Sequence, residues 1–391
     1  MMEKQLIPQL RFPEFEGGWK SLKIGNIGKP SMCKRIMKDQ TLNVGDIPFY
    51  KIGTFGKEAD AYISNDLYEE YKTKFSFPKK GDILISASGT IGRTVIYDGK
   101  PAYFQDSNIV WIANNEEKVL NKLLVYLYEN VRWTTENTTI ARLYNDNLKS
   151  INITIPSLPE QQKIASFLTD VDAKITKLTK KKDLLEQYKK GIMQKIFNQE
   201  LRFKDNNGNA FPRWNVKTLG GIASINMGQS PESSTYNSDG NGYYLIQGNA
   251  DISNRKTTPR NWTSNPTKLC DIGDLILTVR APVGAVAKSN HKACIGRGVC
   301  SIKNKALSNI EFIYQFLLDY EKRWARLEQG STFTAVSGKD IKSIEINLPS
   351  IEEQTKIANF LSDIDLKIEA LNTQIENSKA FKKGLLQKMF V

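Results

Sequence analysis

The sequence lacks most of the residue patterns on which catalysis depends. Among its 391 residues there is a single histidine, His291, and neither an HExxH pattern nor the local pattern of a serine–histidine–aspartate triad surrounds it. No GxxxxGK[ST] loop is present to hold ATP phosphates, and the Asn/Asp-Pro-Pro-aromatic motif of amino-methyltransferases is missing. The sequence therefore predicts a chain that binds no cofactor or metal and performs no chemistry of its own.

Two sets of residues could imitate metal sites. They are Asp60 with Glu70 and Lys72 for a nuclease, and Cys270, His291, Cys294 and Cys300 for zinc. The first set consists of common residues in a lysine-rich stretch. The second lacks the two closely spaced ligand pairs of a structural zinc site, since Cys270 stands alone. Solvated loop residues and small buried thiols are the simpler interpretation of both.

Long apolar runs and paired cysteines are absent too. No stretch reaches the ~20 apolar residues that span a bilayer, and the N-terminus has no signal-peptide pattern. Four cysteines without a CxxC pair are typical of a reducing compartment, so we expect a cytoplasmic protein without membrane contact. The net charge of +13 favours a polyanionic partner without proving one.

The sequence does contain a long internal repeat. Residues 150–197 align without a gap onto residues 343–390, and 23 of the 48 positions are identical. Each copy begins with a short apolar run closed by Pro156 or Pro349. A repeat of this period is far longer than a solenoid unit. It indicates two whole modules related by an internal pseudo-twofold axis.

Both copies continue with the spacing of a long helix. Apolar residues recur at three- and four-residue steps: Ile164, Leu168, Val171, Ile175 and Leu178 in the first copy, and Ile357, Leu361, Ile364, Ile368 and Leu371 in the second. This alternation is typical of a coiled-coil seam, and a helix free of proline from Gln161 to Phe197 would be roughly 55 Å long. Gly191 and Gly384 lie at equivalent places, and each costs ~1 kcal/mol relative to alanine, so a close backbone approach is expected there.

The start of the chain repeats in rotated order. PQLRFPEFEGGW at Pro8–Trp19 is similar to the stretch Asn198–Trp214, which directly follows the first helix. The second helix ends in the equivalent KMF at Lys388–Phe390, at the other end of the sequence. This is circular pseudosymmetry, and it predicts that Val391 lies near Pro8.

Between the helices lie two globular segments of ordinary domain size with weak mutual similarity. GDILISASGTIG at Gly81–Gly92 parallels GDLILTVRAPVG at Gly273–Gly284, and each is a buried-strand run followed by a glycine-closed turn. We expect mixed α/β structure with irregular glycine- and asparagine-rich loops. The helices are shared and the globular segments differ, which would suit two modules that recognise different things.

Together these motifs resemble the specificity subunit of type I restriction–modification systems over nearly the whole chain. The matching parts are LRFPEF with the following Trp19, the two helix openings around PEQQKIASFL and EEQTKIANFL, and the helix endings KKGIMQKIF and KKGLLQKMF. The resemblance implies an α+β fold: two globular α/β target-recognition domains joined by two long antiparallel helices with circular pseudo-twofold symmetry. The implied boundaries are 1–156 and 199–349 for the two domains and 157–198 and 350–391 for the two helices.

The resemblance also implies the function and the partners. Each domain would recognise one half of a split sequence in double-stranded DNA. Two methylation subunits would dock on the helices, with the seam residues given above as the partner-binding set, and restriction/translocase subunits would join the complex. S-adenosylmethionine, ATP and Mg are expected on those partner subunits. The alternative is a coiled-coil scaffold for protein partners without DNA specificity.

Candidate DNA contacts lie in the glycine-closed turns and after two apolar strands. Gln and Asn can pair with adenine and Arg with guanine, whereas Lys is suited to phosphate. The candidates are Lys51, Thr54, Phe55, Lys57, Ser86, Ser88, Thr90 and Arg93 in the first segment, and Gln247, Asn249, Arg255, Lys256, Thr278 and Arg280 in the second. Ordinary solvated turn residues are the alternative interpretation of each.

Overall fold

The chain divides into two units, and the division passes through both long helices. A computed structural model describes residues 6–131, 133, 142–330 and 335–391. Unit 1 comprises Met1–Leu178 and Gln374–Val391, and unit 2 comprises Thr179–Thr373. Each unit thus contains one globular segment and a part of each long helix.

Unit 1 contains nine strands and three shorter helices among its described residues, and about half of the first long helix. The strands are β1 (Lys20–Lys23), β2 (Gly28–Ser31), β3 (Ile47–Tyr50), β4 (Tyr62–Ile63), β5 (Ile83–Ser86), β6 (Thr94–Ile96), β7 (Tyr103–Phe104), β8 (Ile109–Asn114) and β9 (Asn152–Ile155). The helices are α1 (Asn65–Lys74), α2 (Asn121–Asn130), α3 (Asn145–Ser150) and the long α4 (Leu158–Phe197), whose second half belongs to unit 2.

Unit 2 has the larger set of strands. They are β10 (Asn215–Thr218), β11 (Ala223–Met227), β12 (Tyr236–Asn237), β13 (Tyr243–Ile246), β14 (Ile252–Ser253), β15 (Lys256–Thr257), β16 (Asn261–Thr263), β17 (Leu269–Cys270), β18 (Leu275–Thr278), β19 (Val286–Lys288), β20 (Ala293–Ile295), β21 (Val299–Asn304) and β22 (Glu345–Leu348). The helices are α5 (Leu219–Ile222), α6 (Ile310–Gly330), α7 (Gly338–Lys342) and the long α8 (Ile351–Met389), whose end belongs to unit 1.

The same sheet plan occurs in both units. In unit 1 a four-stranded sheet has the order β2-β8-β5-β6, and in unit 2 the order β11-β21-β18-β19 matches it, extended by β15 and β14. A second sheet, β4-β3-β7, corresponds to β16-β13-β20 within a five-stranded sheet. The parallel pairs β3–β7 and β13–β20 are equivalent. Strands β5 and β18 are buried at every residue, as expected for continuous apolar runs at the centre of a sheet.

The long helices run antiparallel inside each unit. In unit 1 Ile164 and Leu168 of α4 share a core with Leu385 and Met389 of α8, and Asp172 pairs further along with Lys382. In unit 2 the seam residues Ile357, Leu361 and Ile364 share a core with Met193 and Ile196. Further along the same two helices, Lys189 forms an ion pair with Asp365. We call the lysine–aspartate ion pairs between α4 and α8 the helix ladder. The first lysine of each KKG sequence, Lys189 or Lys382, therefore forms an ion pair with the opposite helix.

A buried glutamine fixes the start of each long helix. The Gln161 amide donates to the Pro156 and Lys118 carbonyls (3.0 and 2.8 Å) and accepts from the Leu120 N–H (2.9 Å) at the start of α2. Gln354 makes the equivalent bonds at the start of α6, donating to the Pro349 carbonyl (2.9 Å) and accepting from the Asn309 N–H (2.9 Å). Because an unsatisfied buried polar group costs about 1–3 kcal/mol, this bonding ties the helix firmly to its globular segment.

The repeated Arg and Trp near the start of each globular segment meet at the helix opening. Arg202 donates to both carboxylate oxygens of the fully buried Glu353 (both 2.8 Å), and Trp214 Nε1 donates to the same group (2.9 Å). Arg11 and Trp19 bond in the same way to Glu160 in unit 1. The sequence motif LRF…W and the EQ of the helix opening are thus one contact, present twice.

Candidate nucleic-acid interface

The glycine-closed turns are shaped by one buried hydroxyl each. Ser86 Oγ donates to the Thr90 carbonyl and accepts from the Arg93 N–H (2.9 Å), and Thr278 Oγ1 donates to the Pro282 carbonyl (2.7 Å) and accepts from the Ala285 N–H (2.9 Å). Both hydroxyl residues are fully buried. In this conformation the two hydroxyls close the turns, and DNA contact by Ser86 and Thr278 stays a prediction.

A tryptophan packs against the glycine that ends each turn. A Cβ atom at Gly92 would lie 2.2 Å from the Trp133 ring, and one at Gly284 would lie 2.1 Å from the Trp324 ring. Both glycines also have positive φ angles (81° and 88°), which residues with a side chain rarely adopt. Only glycine therefore fits at these two positions without a shift of the tryptophan or the turn.

In unit 1 the loop after β3 lies against the glycine-closed turn. Arg93 donates to the Ile52 carbonyl (3.0 Å), and its guanidinium lies 5.3 Å from the centroid of the Phe55 ring. Phe55 itself is buried and Arg93 joins the two loops, so DNA contact by either side chain stays a prediction. Thr54 accepts from the Lys51 N–H (3.2 Å) and closes the loop.

The remaining unit 1 candidates keep more of their polar surface free. Lys51 forms an exposed ion pair with Asp60 (2.9 Å), which solvent screening makes weak. Ser88 donates to Asn108 Oδ1 (2.8 Å) and is half-buried. Lys57 and Thr90 are exposed. These side chains could turn toward a ligand without breaking a core contact.

A third loop, which the sequence does not predict, lies against the two loops already described in each unit. It follows β7 in unit 1 and β20 in unit 2. The Gln105 N–H donates to the Tyr50 carbonyl (2.9 Å) and the Ala87 N–H to the Asn108 carbonyl (2.8 Å), so this loop touches both others. Arg142, from a distant part of the chain, donates to the Ser107 carbonyl in this loop (3.0 Å). No local pattern marked this loop, because the pairing of β7 with β3 is long-range.

Unit 2 repeats the three-loop arrangement with other side chains. The Gly296 N–H donates to the Ile246 carbonyl (2.8 Å) and the Val279 N–H to the Gly298 carbonyl (2.9 Å). Between the two glycines stands Arg297, whose side chain is exposed. The Gly-Arg-Gly sequence was the available signal for this residue.

The first loop and the turn tip of unit 2 hold three of the candidates. Gln247 donates through Nε2 to the Tyr236 hydroxyl (2.9 Å), which orients its amide. Asn249 and Arg280 are exposed, and Arg280 makes no side-chain hydrogen bond or ion pair with the described part of the chain. An arginine of this kind can pair with a base or a phosphate without losing an internal contact.

Arg255 and Lys256 lie elsewhere. Arg255 pairs with both carboxylate oxygens of Glu321 on α6, and Lys256 Nζ lies 2.5 Å from Glu369 Oε1 on α8. Their hairpin, β14–β15, is the extension that the first unit lacks among its described residues. In this conformation both charges pair with carboxylates on the helices, and DNA contact by these two residues stays a prediction.

The seam residues are also used internally. Ile164, Leu168, Ile357, Leu361, Ile364 and Leu371 are buried in the cores of their own units, and Val171, Ile175, Leu178 and Ile368 are half-buried. In this conformation other parts of their own units cover the buried ones, and partner binding by these residues stays a prediction.

The described residues contain neither a candidate membrane span nor a candidate metal site. Within residues 6–131, 133, 142–330 and 335–391, no helix combines the length and apolar character that crossing a bilayer requires. Over the same residues, no three side chains of His, Cys, Asp or Glu are grouped so that they could hold a metal ion.

The repeated units and their helices correspond to a known family. Residues 16–187 and 212–378 match the family model described as the type I restriction modification DNA specificity domain, and the chain belongs to this family. A Methanocaldococcus jannaschii protein, named as the MjaX type I restriction enzyme specificity subunit, is 35% identical over 78% of this chain and 76% of its own length. The resemblance found in the sequence is thereby confirmed.

Two further comparisons bear on parts of this likeness. A Haemophilus influenzae protein, named as a type I restriction enzyme specificity subunit, is 60% identical over 161 residues, which cover 41% of this chain and 42% of that relative. The crystal structure of the S subunit of a type I restriction–modification system from M. genitalium matches 99% of both chains with a TM-score of 0.67 at 15% identity. The predicted fold class, two α/β domains with two long helices, is confirmed.

Proposed function

We propose that this chain is the DNA-binding specificity subunit of a type I restriction–modification complex, and that each unit recognises one half of a split target in double-stranded DNA. The observation that carries the proposal is an arrangement of three loops that occurs in both units, with equivalent hydrogen bonds between the loops and different exposed side chains. We call this arrangement the three-loop frame. Unit 1 presents Lys57 and Thr90 on it, and unit 2 presents Asn249, Arg280 and Arg297. A shared frame with different side chains suits two different half-sites.

The exposed side chains fit the chemistry of base recognition. Asn249 can pair with adenine and Arg280 or Arg297 with guanine in the major groove. Lys57 suits phosphate contacts, which position a protein without specifying sequence. The net charge of +13 supports association with a polyanion.

The partners follow from the same proposal. Two methylation subunits bind this chain, and restriction/translocase subunits complete the complex. The chain itself contributes no catalytic group; S-adenosylmethionine, ATP and Mg belong to the partner subunits. The family membership and the names of the relatives as specificity subunits support this division of labour.

The proposal is tested by mapping methylated adenines in the host genome with the gene present, deleted, or altered by exchange of residues 199–349 for those of a relative. Deletion should remove methylation at one split sequence, and the exchange should change one half of that sequence only. Methylation that survives deletion would overturn the proposal. If the chain binds methylation subunits while the methylated sequence ignores every exchange, the scaffold alternative is correct.

A further inference from the structure

Each three-loop frame contains a glutamine whose side-chain amide is held in one orientation. In unit 1 it is Gln105, which follows β7 in the third loop. In unit 2 it is Gln247, which follows β13 in the first loop. Both side chains are half-buried. An amide has a donating NH2 end and an accepting oxygen end, so its orientation decides which end is left for a ligand.

In unit 1 the oxygen end of the amide is bound to the backbone. Gln105 Oε1 accepts from the Ile52 N–H (2.9 Å), and the Gln105 backbone N–H donates to the Tyr50 carbonyl (2.9 Å). A backbone N–H can only donate, so the amide oxygen must face Ile52. Gln105 Nε2 makes no hydrogen bond with the described residues, so both N–H groups of the amide remain for a ligand.

In unit 2 the nitrogen end of the amide is bound instead. Gln247 Nε2 lies 2.9 Å from the Tyr236 hydroxyl, and that hydroxyl donates to the Pro231 carbonyl (3.2 Å). A carbonyl can only accept, so the single hydroxyl proton points to Pro231 and the hydroxyl oxygen must accept from Gln247. Gln247 Oε1 makes no hydrogen bond with the described residues, so the oxygen remains for a ligand, beside the second N–H of Nε2.

Both glutamines lie where the first and third loops of their frame meet. Gln105 reaches from the third loop to Ile52 in the first. Gln247 packs from the first loop against the third. A Cβ atom at Gly298 would lie 2.1 Å from the Gln247 carbonyl oxygen, and one at Gly296 would lie 3.3 Å from its Cα and Cγ atoms. The two amides thus lie at the same junction of loops, with opposite orientations.

The free ends of the two amides match different bases in the major groove. Guanine presents two neighbouring acceptors, N7 and O6, whereas adenine presents the acceptor N7 beside the N6 donor. The two N–H groups of Gln105 complement the two acceptors of guanine. The oxygen and the remaining N–H of Gln247 complement the donor and the acceptor of adenine. Neither amide can turn over to suit the other base without losing its bond to Ile52 or Tyr236.

We infer that Gln105 recognises guanine in one half-site, that Gln247 recognises adenine in the other, and that Tyr236 is the positioning residue for Gln247. This inference rests on the proposed function, which supplies the double-stranded DNA. It adds one chosen base to each frame. Tyr236 acts through the Gln247 amide, because its hydroxyl proton is already directed to Pro231.

The first test uses the full chain assembled with its methylation subunits, and duplexes in which each base pair of the methylated split sequence is varied singly. Gln105→Ala should reduce discrimination about tenfold at one G·C pair, and Gln247→Ala should do so at one A·T pair of the other half-site. Replacing the purine of that pair by its 7-deaza analogue, which lacks the N7 acceptor, should weaken binding by the parent chain and leave binding by the corresponding variant unchanged.

The second test is Tyr236→Phe, which removes only the hydroxyl. The Gln247 amide is then free to turn over and present its NH2 end, so discrimination of adenine against guanine should fall about tenfold at the same pair, while affinity for the parental sequence changes little. The matched control is Tyr244→Phe. The Tyr244 ring packs against Trp262 with centroids 5.1 Å apart, and its hydroxyl makes no hydrogen bond with the described residues. This control should keep the parental discrimination.

Three results would overturn the inference. Both glutamine variants could act in the same half-site, the G·C and A·T pairs could be exchanged, or Tyr236→Phe could weaken binding to every sequence equally with discrimination unchanged. The last result, together with a lower urea midpoint, would give Tyr236 a purely structural role. If the parent complex selects no split sequence, the proposed function fails; if it does while the glutamine variants leave every position unchanged, only the inference fails.

Discussion

At the scale of single residues, two equivalent lysines, Lys189 buried and Lys382 half-buried, have pKa values shifted in opposite directions. Burial lowers the pKa of Lys189, because the loss of water around its ammonium outweighs its one carboxylate partner, Asp365, at 2.6 Å. At Lys382 burial also opposes the charged form, but two carboxylates, Asp172 (3.0 Å) and Glu129 (3.1 Å), outweigh it and raise the pKa. The two equivalent lysines of the helix ladder thus differ in the number of carboxylates that stabilise their charged form.

The different numbers of carboxylate partners predict that pH affects the contributions of Lys189 and Lys382 to stability in opposite directions. A lowered lysine pKa means that protonation of Lys189 opposes folding, so its contribution improves as pH rises from the folded-state pKa to the ordinary value near 10.5. A raised pKa means that Lys382 contributes fully below about 10.5 and loses its contribution as pH rises through the folded-state value. Denaturant unfolding of Lys189→Met and Lys382→Met between about pH 8 and 11 measures both effects.

The stability of the wild type relative to Lys189→Met should increase with pH over this range. Relative to Lys382→Met it should decrease at the upper end. Groups common to all three proteins cancel in these differences. If both differences in the free energy of unfolding changed in the same direction with pH, the assignment of one carboxylate partner to Lys189 and two to Lys382 would be wrong.

Arg280 is the residue from which we expect sequence discrimination. Its exposed side chain stands at the tip of a turn that Thr278 and Gly284 hold in place. If it pairs with guanine, Arg280→Ala should cost about 1–3 kcal/mol of discrimination at one position of one half-site. A set of single-base variants, measured at two salt concentrations, shows this effect.

Lys57→Ala is the control for this measurement. Loss of a phosphate contact should weaken binding to all sequences and lower the salt slope by about one, with base preference unchanged. If Arg280→Ala behaves in the same way, Arg280 binds the DNA backbone and base recognition belongs to other loop residues.

At the scale of elements, local periodicity predicts the long helices well and the loops poorly. The uninterrupted three- and four-residue spacing from Ile164 onward places an apolar stripe on one side, and the structure has helices there, Leu158–Phe197 and Ile351–Met389. The turn pattern favours Ser86 and Thr278 as DNA contacts, whereas the structure shows that their buried hydroxyls close the turns. Arg255 pairs with Glu321, which is 66 residues further along the chain, and no local sequence pattern predicts such a long-range ion pair.

The length of the helices should set the spacer between the two half-sites. Because Asp172 pairs with Lys382 and Lys189 with Asp365, a deletion must remove the same stretch from both helices to retain the ladder. Removing residues 177–180 together with 374–377 shortens each helix by about 6 Å. The methylated sequence should then keep both halves while its spacer becomes shorter by one or two base pairs, since one DNA turn of about 34 Å holds about ten.

Deleting only one of the two segments is the control. It shifts the ladder out of register, so the lysine–aspartate pairs on one side are lost and stability should fall. Changed half-sites with an unchanged spacer in the double deletion would refute the role of the helices as a ruler.

At the scale of the whole molecule, the repeat closes on itself. The Leu201 N–H donates to the Lys195 carbonyl (3.1 Å) where α4 runs into the second globular segment. The Leu10 N–H donates to the Lys388 carbonyl (2.9 Å), although these residues are joined by no local chain. Trp19 also packs edge-on against Phe390, with ring centroids 6.1 Å apart. The contact that is local in one repeat is thus rebuilt across the length of the sequence in the other.

This closure predicts that the chain tolerates circular permutation. A short linker from Val391 to Pro8 would only make covalent a junction that the Leu10–Lys388 bond already forms. New ends can be opened at Asn206–Gly208, an exposed turn in which Asp205 Oδ1 accepts from the Asn207 and Asn209 N–H groups (2.8 and 2.7 Å). Such exposed loop tips usually accept breakage.

The permuted chain would contain the same two units and the same helix pair in exchanged order, so it should direct methylation to the same split sequence as the parent. A second permutant opened between Lys177 and Leu178 serves as the control, because a break inside α4 interrupts a helix shared by both units and should prevent stable folding. A folded permutant with ends at Asn206–Gly208 that methylates a different sequence would mean that chain order, rather than the repeated contacts, determines how the units are used. The same sequence would show that the hydrogen bonds at Leu10 and Leu201 are interchangeable parts of one design.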